Sequence, residues 1–400
     1  MKKSLVLVIN CGSSSLKFSL MEPNSGEEVF NGIAQCLLLN NASISFKMNG
    51  EKQELSLKAP FDHDVAISAL VAFINNNHLF HQITAIGHRV VHGGEKYCHP
   101  TLITPKVKQQ VHKLAKLAPL HNPANLVGIE AAEKVFGHLA QVAIFDTAFH
   151  QTMPEKAYIY GLPYSLYKEH GIRRYGFHGT SHYFVAKQAS IHLNKPLEQC
   201  NLISAHLGNG CSISVIADGK SVDTSLGFTP LEGVVMGTRS GDVDPGIIFY
   251  LVNQLGYSLD QVDNLLNKES GLLGISGLSN DCRTIEAELL SGNVRAKLAI
   301  DVFCYRIAKK IASFSASLQT LDGLIFTGGI GENSSTIRGL ILNQLSLLGF
   351  TVDEQLNLEK RFGQQGNINS TNSRACWVIP TNEEWVIAEQ TQRLLTSIGE

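Results

Sequence analysis

Residues 5–21 read Leu5-Val6-Leu7-Val8-Ile9, then Asn10-Cys11-Gly12-Ser13-Ser14-Ser15, then Leu16-Lys17-Phe18-Ser19-Leu20-Met21. The unbroken Val/Leu/Ile run predicts a strand buried on both faces, and the alternation after the polar turn predicts a second strand returning beside it. The same order recurs in the second half of the chain. Asn201-Leu202-Ile203-Ser204-Ala205 leads into the turn His206-Leu207-Gly208-Asn209-Gly210-Cys211-Ser212, and Ile213-Ser214-Val215-Ile216-Ala217 follows, with Asp218-Gly219 as the next hairpin turn. A supersecondary unit that recurs points to a duplicated domain core.

The chain has 400 residues, is 44% apolar and 17% charged, and carries a formal net charge of −2. That length suits two domains, and that composition suits a globular protein with a sizeable core. No Lys/Arg-rich run is present, so a nucleic-acid partner is not expected. Eight cysteines occur, none in a C-x-x-C pair, as in a chain whose thiols stay reduced. Lys2-Lys3 ahead of the apolar run is a superficial signal-peptide feature. The run is short, however, and leads into Asn10-Cys11-Gly12, not a small-residue cleavage site. No apolar stretch reaches the roughly 20 residues of a spanning helix, so no membrane partner is expected and the location is read as cytoplasmic.

Between the two hairpins the pattern becomes α/β. Asn122-Pro123 reads as an N-cap with proline at the first helical position, opening a helix that runs to Phe136 before Gly137. Residues 141–145 form the next strand and deliver Asp146 at its carboxyl end, where open α/β sheets bind ligands. Further helices are expected from Asp244-Pro245, from Asn280-Asp281 and over 295–318. Then a strand at 324–327 enters Gly328-Gly329-Ile330-Gly331-Glu332-Asn333 and a helix from Ser334. Residues 377–380 give a short strand, and a final helix starts at Glu383.

Three glycine-rich turns, each at the end of an apolar strand, can bring backbone N–H groups close to an anion. The first adds Lys17 as a positive charge, but it lacks Walker A spacing and its bland reading is a polar hairpin turn. The third lies between strand and helix, where amides and helix dipole favour a phosphate. Arg89, inside the apolar stretch Gly87-His88-Arg89-Val90-Val91-His92-Gly93-Gly94, and Arg239, in Met236-Gly237-Thr238-Arg239-Ser240-Gly241, present rigid forks for phosphate or carboxylate. Taken alone, either is explained by a structural ion pair. His178, in Tyr175-Gly176-Phe177-His178-Gly179-Thr180-Ser181-His182, precedes a helix expected from Ser181 and can donate to an anion there; the plain alternative is a capping loop. The His178/His182 spacing invites a zinc site, but the intervening Gly-Thr-Ser is not a zincin helix and no cysteine cluster assists.

Together with Phe145-Asp146-Thr147-Ala148-Phe149-His150 and the stretches 236–245 and 380–384, these motifs run in order along essentially the whole chain. In that order the set resembles the acetate and propionate kinase family. The resemblance implies an α/β fold of two duplicated ribonuclease-H-like domains, of the actin, Hsp70 and sugar-kinase type, around a nucleotide cleft. The expected division is 1–148 plus 385–400 as the N-terminal domain and 149–384 as the nucleotide-binding domain, in a homodimer. It also implies ATP/ADP as co-substrate, Mg²⁺ with Mn²⁺ as a substitute, and acetate or another short-chain acid as phosphoryl acceptor. Carried onto this sequence, Asn10 and Glu383 hold the metal and Lys17 lies near the nucleotide phosphates. His206, Leu207, Gly208, Asn209, Gly210, Asp281, Cys282, Arg283, Gly329, Ile330, Gly331, Glu332 and Asn333 line the nucleotide site. Arg89, Asp146, His178 and Arg239 surround the transferring phosphoryl group, and Val91, Leu120, Phe177 and Pro230 form the pocket for the substrate's methyl group.

A short carboxylic acid has a pKa of about 4–5, by analogy with Asp and Glu, so it is already a nucleophilic anion at neutral pH. Asp146 is therefore expected to position an arginine or metal-bound water, not to remove a proton. Two departures from the family stand out. Cys11 occupies a position usually held by a small residue and raises the expectation of thiol sensitivity, and Trp385 stands where an aliphatic residue is usual. Two alternatives remain beside acetate: propionate as the preferred acid, and an Hsp70- or actin-like ATP-driven switch. The switch gives Arg89 and Arg239 no purpose, and an Hsp70 carries a peptide-binding domain after its ATPase, whereas this chain's last helix reaches Glu400.

Overall fold

In the computed structural model, which describes residues 4–119 and 121–399, the opening run forms strand β1 (Leu5–Cys11) and the polar turn brings β2 (Leu16–Met21) back antiparallel to it. Strands β3 (Glu28–Gln35), β4 (Ser43–Met48) and β5 (Glu51–Ser56) continue the meander outward. On the other side of β1 lie β6 (Ile83–Val90) and then β8 (Ala140–Phe145), both parallel to it, with the two-residue β7 (Thr101–Leu102) at the edge. The order is β5-β4-β3-β2-β1-β6-β8-β7.

Alternation along β1 explains why it is apolar throughout. Leu5, Leu7 and Ile9 face one core with Ile67 and Leu70 of the helix His63–Asn76 and Ala132 and Phe136 of the helix Asn122–Phe136. Val6 and Val8 face the opposite core, which is completed by Ile387 and Ala388 of the helix Glu383–Gly399. That returning helix comes so near that a Cβ on Gly87 would sit 2.6 Å from the Ile387 side chain.

The second sheet repeats the plan with β9 (Leu202–Leu207), β10 (Cys211–Ala217), β11 (Lys220–Thr224), β12 (Gly323–Thr327), β13 (Gly366–Asn367) and β14 (Ala375–Val378), in the order β11-β10-β9-β12-β14-β13. Here too three strands form an antiparallel meander, and two more join the first strand in parallel. Asp218 and Gly219, both at positive φ, make the tight turn from β10 to β11. The recurrence seen in sequence is thus a recurrence of topology: two ribonuclease-H-like sheets. The long helix Val294–Phe314 buries Ala296, Ile300, Phe303, Ile307 and Ile311 along one stripe.

Contacts divide the chain into Met1–Ala148 with Asn382–Glu400, and Phe149–Thr381. The contact division falls at Asn382, whose side chain accepts from the Trp385 amide just ahead of the returning helix. Asn122 is not a cap. The helix starts on it, while its buried amide group accepts from the His92 amide and donates to the His92 carbonyl. The helix expected from Ser181 begins at Gly179, and the one expected over 295–318 ends at Phe314. Among the described residues no helix is long and apolar enough to cross a membrane.

Five histidines are buried among the described residues: His63, His88, His92, His150 and His182. Burial holds His88, His92 and His150 down to about 4 and His182 well below its ordinary value. A folded-state pKa below the unfolded one makes a stabilising contribution that is present above about 6.5 and is lost as pH falls through 4. The shifts of His88, His92 and His150 each correspond to about 3 kcal/mol. The melting temperature is therefore expected to fall steeply between pH 6.5 and 4, and His88→Gln to flatten that slope. A flat profile over this window would contradict it.

Candidate active site

In the first unit the polar residues gather at the carboxyl ends of the parallel strands. Asn10 is near the end of β1, Arg89 near the end of β6, and Asp146 follows β8. The Asp146 amide continues the ladder by donating to the Val90 carbonyl, which sets its carboxylate beside Arg89. Arg89 Nε donates to Asp146 Oδ1 at 2.9 Å, Nη2 to Oδ2 at 2.5 Å, and Nη1 to Asn10 Oδ1 at 3.5 Å. Burial pushes Asp146 upward, against the pull of Arg89. Burial would lower Arg89, but Asp146, Glu383 and Glu384 together raise it. The direction at Arg89 governs: a guanidinium kept charged, with two parallel bonds to one carboxylate, keeps that carboxylate ionised.

Glu383 and Glu384 open the returning helix, where its dipole favours acids. Burial and the neighbouring Glu383 charge raise Glu384, opposed by Lys17 and Arg89. Val91 is buried, its amide held by Asn125 Oδ1 at 3.0 Å, while Asn125 Nδ2 donates to the Cys11 carbonyl. Leu120 lies outside the described residues.

The second unit assembles a different group. His178 has φ +55 and occupies the cap position of the helix Gly179–His192. Its ring stacks on His206 with centroids 4.3 Å apart, and its Nδ1 lies 2.9 Å from Ser212 Oγ. The same hydroxyl lies 2.7 Å from His182 Nε2, and His182 Nδ1 is 2.6 Å from Ser204 Oγ. Gly210 opens this corner: a Cβ there would be 3.5 Å from both Arg239 Nη1 and His178 Cε1. Arg239 Nη1 donates to the Pro230 carbonyl at 3.3 Å. Among the described residues no carboxylate pairs with Arg239, and burial lowers it from its usual range. Phe177 is buried, its carbonyl bonded to His150 Nε2.

Beside this corner is a cavity of about 850 Å³. Gly208, Asn209, Asp281, Cys282, Arg283, Gly329, Ile330 and Asn333 line it. Leu207, at the end of β9, and Gly331, in the short helix Gly328–Asn333, are buried behind it. The third glycine-rich stretch is not a turn but a short helix, Gly328–Asn333, and Glu332 Oε1 accepts from the amides of Gly328 at its start and of Thr381.

The Acetokinase family matches residues 5–389. The chain belongs to this family. The acetate kinase of Shewanella frigidimarina (strain NCIMB 400) is 57% identical over 399 residues, 99% of this chain and 100% of that protein. The crystal structure of Porphyromonas gingivalis acetate kinase superposes with a TM-score of 0.93 at 43% identity, covering 98% of this chain and 100% of that one. A propionate kinase from Francisella tularensis subsp. tularensis SCHU S4 gives 0.93 at 46% identity, covering 98% and 99%.

Within the acetokinase framework, the oxygen donors of the first unit suit Mg²⁺. Glu383 and Glu384 repel one another, which a divalent cation would relieve, and Asn10 offers an amide oxygen. Among the described residues no cluster of three or more His, Cys, Asp or Glu forms a metal cage. Mg²⁺ needs none, since it keeps waters and takes phosphate oxygens. His178 and His182 direct nitrogens at Ser212, which argues against the zinc alternative. Thiol sensitivity at Cys11 is corrected: the side chain is buried and burial pushes its thiol up to about 12, so it stays protonated and unreactive. Trp385 donates to the Pro23 carbonyl and its ring covers Gly26. Ser204, Ser212 and Asn125 were missed in the sequence; the one signal was a buried polar residue inside an otherwise apolar segment.

Proposed function

We propose that this acetokinase-family chain transfers the γ-phosphoryl group of ATP reversibly to acetate, giving acetyl phosphate and ADP. The observation that carries the reading is the corner at Gly210, where His178 and the Arg239 guanidinium, which no carboxylate pairs with among the described residues, face one Cβ-free position beside the cavity. Phosphoryl transfer asks for in-line positioning and charge stabilisation more than covalent help from the protein. An acetate oxygen attacks the γ-phosphorus, the bond to the β-bridging oxygen breaks, and ADP leaves; no proton is gained or lost.

Gly208, Asn209, Asp281, Cys282, Arg283, Gly329, Ile330 and Asn333 are assigned to the nucleotide, with Lys17 at its phosphates. Arg239, Arg89 and His178 stabilise charge on the equatorial oxygens. Asp146 orients Arg89 through the paired bonds. Val91, Phe177 and Pro230, with Leu120, are assigned to the acid's alkyl group. Asn10, Glu383 and Glu384 would hold Mg²⁺, which supplies positive charge to the phosphate oxygens.

A cytoplasmic homodimer completes the proposal. Free cysteines support the compartment. The helix Gly246–Asn253 supports the dimer, since it buries no residue of its own and leaves Phe249 66% and Tyr250 58% exposed. Sedimentation as a monomer at micromolar concentration would remove that part.

The enzymatic test is a hydroxamate-trapping assay with ATP, Mg²⁺ and formate, acetate, propionate and butyrate. Acyl phosphate is expected with acetate. One methylene changes binding by roughly 1–3 kcal/mol, so propionate turnover at reduced kcat/KM is expected too. No acyl phosphate from any acid would end the carboxylate-kinase reading, while a higher kcat/KM on propionate would reassign the substrate.

A further inference from the structure

Two large apolar side chains on the lining of the 850 Å³ cavity are left in water: Leu290 is 89% exposed and Phe362 is 77% exposed. Single exposed apolar residues are ordinary, but two flanking one cavity are not scattered. Phe362 also sits at φ +54, where a bulky side chain is strained. Such strain persists only where neighbours enforce it, and it concentrates at binding sites.

Two separate ties enforce it here. The Phe362 amide donates to Asn333 Oδ1 at 3.0 Å, while Asn333 Nδ2 donates to the Gly329 carbonyl at 2.9 Å. Two residues earlier, the Lys360 carbonyl accepts from Arg338 Nη2 at 2.9 Å. Arg338 is fully buried and spends the rest of its guanidinium on Asn357 and on the carbonyls of Gly331 and Glu332. Segment 360–362 is thereby fastened to the short helix Gly328–Asn333, and the ring of Phe362 is set against the cavity that this helix lines.

We infer that Phe362, with Leu290, is the base-contacting residue of the nucleotide site, its ring taking the heterocycle of a nucleoside di- or triphosphate. The inference rests on the phosphotransferase reading above. Every base has a π-face, and an aromatic ring held rigidly beforehand can stack on it without first being ordered. Larger purines gain more from such a surface than pyrimidines. Phe362 therefore sets a preference between nucleotides, while the polyphosphate is held elsewhere.

Phe362→Ala and Phe362→Gly test this in the full chain, with binding followed by calorimetry. Both are expected to weaken ADP about tenfold, the scale of one base–aromatic contact, and CDP by less. Inorganic triphosphate, which has no base, should compete equally well in all three proteins. The melting temperature should hold in the glycine variant, where the positive φ is relaxed. Unchanged ADP affinity would overturn the inference, and so would equal weakening of ADP and triphosphate, which marks a merely structural role. A wild-type protein that binds neither ADP nor triphosphate would instead bring down the kinase reading itself.

Discussion

Arg239→Ala is expected to lower kcat for acyl phosphate formation by about a thousandfold while leaving the melting temperature nearly unchanged. Both halves come from one observation, the lack of a carboxylate partner for Arg239 among the described residues. A guanidinium supplied to a transferring phosphoryl group is worth about 10³–10⁵ in rate. Among the described residues no acid is orphaned when Arg239 is removed, and the side chain's own bonds are neutral ones, to the Pro230 carbonyl at 3.3 Å and to the Met236 sulfur at 4.0 Å. Losing such a neutral bond at a partly buried side chain costs about 0.5–1.5 kcal/mol, a shift of only a few degrees in a chain of this size. Arg239→Lys should recover little of the rate, since an ammonium restores charge without the planar fork. Trapped acyl phosphate and a thermal melt on the same preparation decide it. A rate within tenfold of wild type, or a collapsed melt, would place Arg239 in the scaffold.

Arg89→Ala should lose both activity and stability. Asp146 is 1% exposed, and its carboxylate faces Arg89 through two bonds. Removing one partner of such a pair costs about 3–5 kcal/mol, because the other charge stays buried alone. Without Arg89, burial and Glu383 raise Asp146 unopposed. A carboxyl whose folded pKa lies above its unfolded value favours folding at low pH, and that benefit is lost as pH rises through the folded value. The stability deficit of Arg89→Ala should therefore be largest near neutrality and shrink toward acid. Adding Asp146→Asn should restore much of the melting temperature at pH 7 and none of the rate. If both recover together, Arg89 acts through folding alone.

Sequence reading reached the elements whose local pattern coincides with their tertiary role. The apolar run of β1 and the paired glycine turns are visible because burial on both faces removes polar residues from consecutive positions. Strand β5 carried no such mark, since all its residues from Glu51 to Ser56 are exposed and a charged edge strand shows no apolar period. Asn122 shows the opposite error. Asn before proline is a good local cap signal, but the amide was committed to His92, thirty positions away in the chain, a partner no spacing rule can name. The site divided the same way. Arg89, Asp146, His178 and Arg239 were legible as charged or titratable groups at strand ends and glycine turns. The Ser204–His182–Ser212–His178 chain was not, because it joins two strands to a helix through contacts 22 to 34 residues apart.

The returning helix has a consequence for how this protein is made. Val6, Val8, Ala85, Val142 and Ile144 form one face of the first sheet, and their cover includes Ile387 and Ala388. During synthesis, residues 1–148 leave the ribosome with that face bare, and more than two hundred residues follow before Asn382 and the returning helix are translated. The contiguous unit Phe149–Thr381 has no such wait. The segment synthesised second can therefore be finished first, and the one synthesised first remains exposed to chaperones and proteases until the helix arrives.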